Sequence, residues 1–354
     1  MRTRRELSQQ LEKVPRTGAM KRSIDACTWV YRAACALVLF VSACSVEGCK
    51  RLPGSSTISV VPQSVIQEGF LNERAGIDQT VARFGINAQW NRPSDTDPQR
   101  QIDLIAAAIK AHSYGIVVNP AYEAATNTVV QDALAQGIPV VVARDSIPLA
   151  PQAHLSFVLS DEQAGAELAA HRLCSDTKLH GYVAIVGLDN YAADSLRRLD
   201  ATENALRRIC PSLQIGHSVA SPYSSSFAQI AVQRLLDQHP DMVALVALNP
   251  VAGIGAANVM EELYASAHHS HRTVRIIVFD QSIPLMLRLR RGVVDAIVGQ
   301  NMRGIGVRAV ENILHDRRGE PYSHSVTFAP MLITRDNVDE STTQEWLLFG
   351  WEQP

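Results

Sequence analysis

Polar side chains with hydrogen-bonding groups follow the short apolar runs of this chain one after another. They are amides, carboxylates and a guanidinium, and the positions are Gln63, Asn119, Arg144, Asp145, Asn190, Asn249, Asp280 and Gln300. Such groups offer donors and acceptors at fixed angles, and each buried group left unpaired costs about 1–3 kcal/mol. Any one position is explained equally well as an ordinary polar loop. Their recurrence after separate strands indicates a site for a small, hydroxyl-rich ligand.

The sequence offers no comparable set of residues for catalysis or for a cofactor. His268, His269 and His271 cluster near Glu261 and Glu262, on a loop expected at the edge opposite the ligand side. These side chains could bind a metal, but a solvated loop is the favoured interpretation. The sequence contains no Gly-x-Ser-x-Gly, His-Glu-x-x-His or phosphate-binding glycine loop. We therefore expect a binding protein that is not an enzyme and uses no metal or cofactor.

Strands and helices alternate through the body of the chain and position these polar side chains. Apolar runs such as 58–61 and 115–118 are separated by stretches of helical period such as 99–112. Fully apolar strands between helices predict a parallel sheet covered on both faces. Ser160 and Gln163 have capping-box spacing, which predicts Ser160 as the N-cap of the next helix. Ligands of such sheets bind beyond the carboxyl ends of the strands, where the polar residues lie.

Length and composition allow two such domains. The chain has 354 residues, of which 46% are hydrophobic and 19% charged, and its formal net charge is −2. A nearly balanced charge lacks the basic excess of a nucleic-acid-binding protein. Two runs of strand–helix units meet near Leu159. Two domains of about 130 residues fit usual domain sizes better than one long sheet does.

The first 43 residues have the features of an export signal. Basic residues precede the apolar run 33–41, which is too short to span a bilayer. Val-Ser-Ala-Cys at the end of this run resembles the lipobox of bacterial lipoproteins, in which the cysteine is diacylated. We expect a signal peptide over 1–43 with a true start at Met20, and a linker over 44–56 anchored to a membrane through Cys44. A signal peptide cleaved nearby and a signal-anchor are the alternatives. The expected location is the periplasm or cell envelope.

Cys174 and Cys210 each fall near the end of a predicted helix, and the two helices flank one strand. Because export would place them in an oxidising compartment, we expect a disulfide between them, with two buried thiols as the alternative. The spacing of the cysteines does not fit a zinc site.

Several short segments, in their order and spacing, resemble the type I periplasmic solute-binding proteins, particularly the ribose-binding group. These segments are 117–120, 137–141, 160–165, 239–241, 247–249, 278–280 and 298–300. The resemblance implies an α/β fold with two doubly wound parallel-sheet lobes, joined by three hinge crossovers near Leu159, Gln300 and Ala329. It also implies that hinge closure clamps a ligand between the lobes.

The resemblance divides the chain into two lobes and a tail. The N-terminal lobe takes 57–159 and 301–329, and the C-terminal lobe takes 160–300 and 330–340. Residues 341–354 form the tail.

The resemblance also implies roles for single residues in holding a sugar or polyol. Asn119, Asn249, Asp280 and Gln300 match polar contacts. Phe70 and Tyr223 match rings that sandwich the ligand, although Phe70 could instead pack under its own helix and Tyr223 could lie on a surface loop.

Some positions depart from the pattern of the ribose-binding group. Arg144 and Asp145 stand in reversed order, and Glu162 replaces a common asparagine. The expected arginine near Ser195 is either Arg197 or Arg198, and Arg197 is the one included in the predicted site. These departures leave the identity of the ligand open.

A transport receptor is the leading hypothesis for the function. It would capture its ligand and deliver it to an ABC permease with its ATPase. A ligand sensor for a membrane receptor kinase or chemoreceptor is the alternative. A sugar-responsive repressor of the same fold is disfavoured, because 21–50 lacks the three-helix pattern of a DNA-binding domain. No nucleic-acid partner is expected.

Overall fold

The computed structural model describes residues 56–63, 69–93, 98–121, 123–175, 179–189, 193–216, 218–221, 224–265 and 273–347. The predicted signal peptide and Cys44 lie outside these ranges. Within them, no helix is both long enough and apolar enough to cross a membrane.

The first part of the chain alternates between strands and helices up to β4, which is followed directly by β5. Its elements are β1 (Thr57–Val61), α1 (Gly69–Phe84), β2 (Asn87–Trp90), α2 (Pro98–Lys110), β3 (Gly115–Val118), α3 (Glu123–Ala135), β4 (Val140–Arg144) and β5 (Leu155–Ser160).

The second part repeats this alternation and then crosses back twice. Its elements are α4 (Glu162–Cys174), β6 (Gly181–Leu188), α5 (Ala193–Ile209), β7 (Leu213–Ile215), β8 (Val219–Ala220), α6 (Ser225–Gln238), β9 (Met242–Ala247), α7 (Pro250–Ala265), β10 (Arg275–Phe279), α8 (Ile283–Arg291), β11 (Ala296–Gly299), α9 (Met302–Arg318), β12 (Ser325–Phe328), β13 (Met331–Ile333) and α10 (Ser341–Leu347).

The first lobe is built on a sheet with the strand order β12-β5-β4-β3-β1-β2, in which all neighbours are parallel. Side chains alternate between its faces along each strand. On β3, Val117 packs with Ile77 and Ile305 from α1 and α9. Its neighbour Ile116 packs on the opposite face with Ile105 from α2. Both faces are therefore buried, which is why the strands read as continuous apolar runs.

The second lobe has a sheet with the order β13-β11-β10-β9-β6-β7, and β8 also pairs with β6. Its strands are parallel except for β13, which runs antiparallel to β11. One face packs against α6, α7 and α8, with Val278 in that core. The other packs against α4 and α5, with Phe279 in that core.

The chain passes between the two sheets three times. The passages follow β5 at Ser160, β11 at Gly299 and β12 at Phe328. They coincide with the expected crossovers near Leu159, Gln300 and Ala329, so the predicted fold class of two parallel-sheet α/β lobes is confirmed.

A disulfide joins Cys174 at the end of α4 to Cys210 just after α5, with a Cα–Cα distance of 5.8 Å. It closes a sequence separation of 36 residues. Such a cross-link stabilises a protein mainly by restricting its unfolded chain, here by about 3–4 kcal/mol.

Two local expectations differ from the structure. The N-cap of α4 is Asp161, whose carboxylate accepts from the backbone N–H of Ala164. The prediction of Ser160 as N-cap was wrong because β5 extends through Ser160, which leaves the cap to the next residue. Residues 341–347, placed in the tail by sequence, form α10 and bury Thr343 and Leu347 against the second lobe.

Candidate ligand-binding site

The carboxyl ends of the two sheets face each other. Asn119 follows β3 and Arg144 ends β4 in the first lobe, while Asp280 follows β10 in the second. Across the gap, Arg197 Nη2 lies 3.8 Å from Asp145 Oδ1, and so joins the second lobe to the first. The predicted strand-end residues of both lobes therefore border one cleft.

Two of these strand-end residues have left-handed backbones. The φ angle is 71° at Arg144 and 64° at Asp280. Such angles are uncommon outside glycine, although Asp and Asn tolerate them better than most residues. Strained backbone of this kind clusters at ligand sites, because the surrounding fold must hold it in place. The left-handed backbone therefore favours a functional role for the ends of β4 and β10.

Arg198 is the centre of a buried polar network in the second lobe. Its Nε and Nη2 donate to the two carboxylate oxygens of Glu162 at 2.6 and 2.9 Å. Its Nη1 donates to Asp280 Oδ2 at 2.9 Å and to the carbonyl oxygen of Leu248 at 2.7 Å. The guanidinium also lies over the Phe279 ring, 5.0 Å from its centroid. A bidentate pair of this kind fixes the direction of both partners.

The charge of Glu162 depends on this network. Burial alone would raise the pKa of the Glu162 carboxyl, but the positive charge of Arg198 outweighs it, together with hydrogen bonds from Arg198 and Gln300 and the charge of Arg144. The net result is a pKa below the ordinary value, so Glu162 is ionised at neutral pH. Because Arg144 belongs to the first lobe, its effect on Glu162 also acts across the cleft.

Gln300 connects two of the three crossovers. Its Oε1 accepts from Ser160 Oγ at 2.9 Å, and its Nε2 donates to Glu162 Oε1 at 2.8 Å. The side chain of Gln281 bonds to both the backbone N–H and the carbonyl oxygen of Gln300. The hinge and the polar network are therefore one connected structure.

In the first lobe, Asn119 is held by a buried acid from α1. Its Nδ2 donates to Glu73 Oε1 at 3.0 Å and Oε2 at 3.2 Å, and more weakly to the carbonyl oxygen of Ala143 at 3.4 Å. Glu73 is 0% exposed. Burial raises the pKa of Glu73, and the charge of Arg144 and the hydrogen bond from Asn119 oppose that rise only in part.

Close backbone packing keeps Glu73 in position. A Cβ added at Gly306 of α9 would collide with the carbonyl oxygen of Glu73, and one added at Gly76 of α1 would collide with that of Arg303. The two glycines therefore let α1 and α9 approach until their backbones touch beside the acid.

Two acceptors at strand ends, one after β3 and one after β10, are unused within the described residues. Asn119 Oδ1 and Asp280 Oδ1 are both buried, and neither accepts a hydrogen bond from any residue in the described ranges. A buried polar atom without a partner is costly and calls for an explanation. Two such oxygens, at the carboxyl ends of facing sheets, are what a ligand with hydroxyl donors would satisfy. Those same ranges contain no cluster of His, Cys, Asp or Glu side chains that could hold a metal ion.

A sequence model described as the periplasmic binding protein domain matches residues 58–320. The chain belongs to this periplasmic binding protein family. The match confirms the resemblance stated from the sequence, and proteins of this family are binding proteins that are not enzymes.

Relatives of this periplasmic binding protein share low identity over most of their length. The ribose import binding protein of Bacillus subtilis is 24% identical over 272 residues, covering 74% of this chain and 83% of that relative. The D-ribose/D-allose-binding protein of Pseudomonas aeruginosa is 25% identical over 308 residues, covering 83% and 91%. A carbohydrate transporter solute binding protein of Agrobacterium radiobacter, solved in complex with D-arabinose, has a TM-score of 0.75 at 19% identity and covers 83% of this chain and 99% of its own. The last comparison shows the shared fold.

Several predicted site residues of this periplasmic binding protein bond or pack within the protein itself, and others lie outside the described residues. Asn249 caps α7, since its Oδ1 accepts from the Ala252 N–H while its Nδ2 donates to the Gly187 carbonyl oxygen. Phe70 is only 4% exposed and packs edge-on against Trp90, with ring centroids 5.1 Å apart. In this structure Phe70 therefore packs within its own lobe, which was the alternative left open. Gln63 lies partly exposed just beyond β1. Tyr223, Asn190 and the His268, His269 and His271 cluster lie outside the described residues.

The two candidate arginines lie in different environments. Arg198 is buried in the Glu162–Asp280 network, whereas the side chain of Arg197 is 39% exposed and faces Asp145. Arg198, the other candidate, is therefore the arginine at the centre of the network, while Arg197 lies beside Asp145. The physical reason is that consecutive side chains on a helix point about 100° apart, and the sequence left the register of α5 undetermined.

Sequence reasoning missed Glu73, Glu162 and Gln281 as parts of the site. Glu73 carried a usable signal, because it lies on the same helical face as Phe70 and Ile77, both buried. A charged residue on an apolar helix face has a buried partner in most proteins.

Proposed function

We propose that the protein captures a small hydroxyl-rich ligand, a sugar or polyol, in the cleft between its lobes. The observation that carries this proposal is the pair of unused buried acceptors, Asn119 Oδ1 from the first lobe and Asp280 Oδ1 from the second. A ligand that donates to both oxygens must bridge the lobes.

Hinge closure follows from the same geometry. A ligand shifts an equilibrium between open and closed lobes only by its difference in affinity for the two forms. A ligand that contacts Asn119 alone would bind the open and closed forms equally. A ligand that contacts both Asn119 and Asp280 can do so only when the lobes are close. The crossovers tied by Ser160 and Gln300 are the hinge in this proposal.

Delivery to an ABC permease with its ATPase is the second part of the proposal. It is supported by membership of the periplasmic binding protein family and by two relatives, one a ribose import binding protein and one a D-ribose/D-allose-binding protein. The structural neighbour that holds D-arabinose supports a monosaccharide of similar size. No catalytic step is part of this function.

The third part of the proposal places the protein in the cell envelope, anchored by lipid on Cys44. Its support is the basic stretch, the short apolar run 33–41 and the Val-Ser-Ala-Cys sequence that ends in Cys44. A diacylated cysteine would hold the protein firmly at the membrane, whereas one acyl chain would hold it only marginally.

A thermal-shift screen tests ligand capture. The purified protein should be stabilised by a monosaccharide from a panel of D-ribose, D-allose, D-arabinose, D-xylose and D-galactose. A ligand at about 100 times its dissociation constant adds about 2.7 kcal/mol to the free energy of unfolding. L-Ribose controls for general solvent effects, because it has the same composition but the opposite hand. If no sugar or polyol raises the melting temperature above its enantiomer control, the proposed function is wrong.

Replacing Cys44 with serine tests the anchor and delivery together. In cells that make the wild-type chain, the protein should sediment with membranes and the cells should take up the radiolabelled sugar that binds. The Cys44→Ser variant should move to the soluble fraction, and uptake should fall severalfold because the receptor is no longer concentrated beside the permease. Cys49→Ser is the matched control and should change neither result. Equal membrane association of the wild type and Cys44→Ser would contradict the anchor.

A further inference from the structure

The buried Glu73 carboxylate restricts which end of the Asn119 amide can face the cleft. Both Glu73 oxygens accept from Asn119 Nδ2, and the Ala143 carbonyl oxygen is a third, weaker acceptor for the same nitrogen. The charge of Arg144 and the hydrogen bond from Asn119 Nδ2 both favour the ionised form of Glu73, and an ionised carboxylate and a carbonyl can only accept hydrogen bonds. The reversed amide would place Asn119 Oδ1 against three other oxygens, and electrostatic repulsion opposes that arrangement.

We infer that Glu73 is a positioning residue, which orients Asn119 so that this side chain offers a hydrogen-bond acceptor and not a donor to the ligand. Asn119 Oδ1 is buried without a partner among the described residues, as the reasoning requires. An ordinary asparagine at a binding site can present either end of its amide. The same asparagine beside Glu73 can present only one.

The second lobe offers the same polarity. Arg198 Nη1 occupies Asp280 Oδ2, and Asp280 Oδ1 is the buried oxygen left without a partner in the described ranges. Gln300 Nε2 donates to Glu162. Arg198 donates to Glu162, to Asp280 and to the carbonyl oxygen of Leu248. Asn119 and Asp280 therefore each have one acceptor oxygen without a partner among the described residues.

If the cleft binds a sugar as proposed above, the two acceptor oxygens restrict which ligands can fit. The ligand must donate a hydrogen to Asn119 Oδ1 and another to Asp280 Oδ1. A neutral polyol with free hydroxyls on two edges satisfies both oxygens. A fluorinated or O-methylated analogue lacks the donor, and a carboxylate or phosphate at either position would oppose an acceptor with another acceptor.

A ligand-free measurement tests the orientation of Asn119 independently of sugar binding. In protein with ¹⁵N-labelled asparagine, the side-chain amide signals of Asn119 can be assigned by their loss in Asn119→Asp. Their exchange with solvent should be slow in the wild type, where both Glu73 oxygens accept from Asn119 Nδ2. Exchange should be at least about tenfold faster in Glu73→Leu, which has a similar volume but no acceptor. Equal exchange in Glu73→Leu and the wild type would overturn the positioning role.

A selectivity measurement tests the consequence for the ligand. D-Ribose and its singly fluorinated deoxy analogues are titrated by calorimetry against the wild type, Glu73→Gln and Glu73→Leu. The wild type should prefer the hydroxyl over fluorine by about tenfold at the position facing Asn119, which is the usual effect of one hydrogen bond. Glu73→Gln should lower that ratio, because its amide can donate to Asn119 Oδ1 as well as accept from Nδ2. Glu73→Leu should narrow that ratio to about threefold or less, while the ratio at the position facing Asp280 stays unchanged.

The outcomes distinguish the two proposals. A merely structural role of Glu73 would weaken binding of D-ribose and its analogues equally and leave every ratio unchanged, which would overturn the inference. Slow Asn119 exchange together with no binding of any sugar would instead contradict the proposed function and leave the orientation of the amide standing.

Discussion

Replacing Arg198 with methionine is expected to lower the free energy of unfolding by about 3–5 kcal/mol at neutral pH, the usual cost of removing one partner from a buried ion pair. Methionine keeps much of the volume of the side chain but removes the cation. Glu162 and Asp280 then share a buried site without the guanidinium that bonds to both. Without the cation, burial of the Glu162 carboxyl favours its protonated form.

The contribution of Glu162 to the free energy of unfolding should depend on pH with opposite sign in this variant and in the wild type. In the wild type the pKa of Glu162 is lowered in the folded state, so its contribution to stability is complete above about 4.5 and is lost as the pH falls through the folded value. Without Arg198, burial should raise that pKa, so stability is lost as the pH increases from about 4.5 upward. The deficit of the variant should therefore shrink in acid. Glu73, whose pKa is raised, contributes equally to the stability of both proteins. Its contribution cancels when the free energies of unfolding of the two proteins are subtracted.

Urea unfolding from about pH 4 to about pH 8 measures both effects. Arg172→Met is the matched control, because Arg172 makes a bidentate pair with Asp295 in the same lobe but in a more exposed setting. Its effect should be much smaller. Equal losses in the two variants, or parallel pH curves for Arg198→Met and the wild type, would show that the network around Arg198 contributes little.

Replacing Asp280 with asparagine is expected to weaken sugar binding by about 10- to 100-fold, the cost of losing a hydrogen bond to a charged acceptor. The melting temperature of the free protein should change little. Asparagine keeps an oxygen for Arg198 Nη1, Glu162 still neutralises the guanidinium, and asparagine tolerates the left-handed backbone at this position. Isothermal titration calorimetry with D-ribose, or with the panel sugar that binds best, gives the dissociation constant.

Asp295→Asn is the control for Asp280→Asn, because it also removes one carboxylate charge from an ion pair of the second lobe, away from the cleft. It should leave sugar affinity unchanged. Should Asp280→Asn bind as tightly as the wild type, the second-lobe acceptor is misassigned. Should it fail to fold, its role is structural and the proposed site must move.

The fold could be predicted from the sequence because both faces of each sheet are buried. Strands such as β3 and β4 are then apolar throughout, and helices of clear period separate them. Even the three crossovers lie where the segments of the family resemblance place them. Segment ends were less predictable, since the N-cap of α4 is Asp161 and not the expected Ser160.

The site could be predicted only in part. Asn119, Asp280 and Gln300 follow from the rule that ligands bind beyond the carboxyl ends of parallel strands. Which of Arg197 and Arg198 turns inward depends on the rotation of α5, which a sequence pattern of one or two turns does not fix. The pairing of Glu73 with Asn119 joins residues 46 positions apart, and only the packing of α1 against the sheet brings them together.

The threefold passage of the chain between the sheets determines the order in which the lobes can be completed. The first sheet receives its edge strand β12 from residues 325–328 and its covering helix α9 from residues 302–318, after all of β6 to β11. A polypeptide that emerges amino end first must therefore leave part of one apolar face of β1 to β5, the part not covered by α1, exposed while the other lobe is still being made. During that interval the early strands resemble an aggregation-prone intermediate, and a chaperone that shields them has its greatest effect before α9 docks.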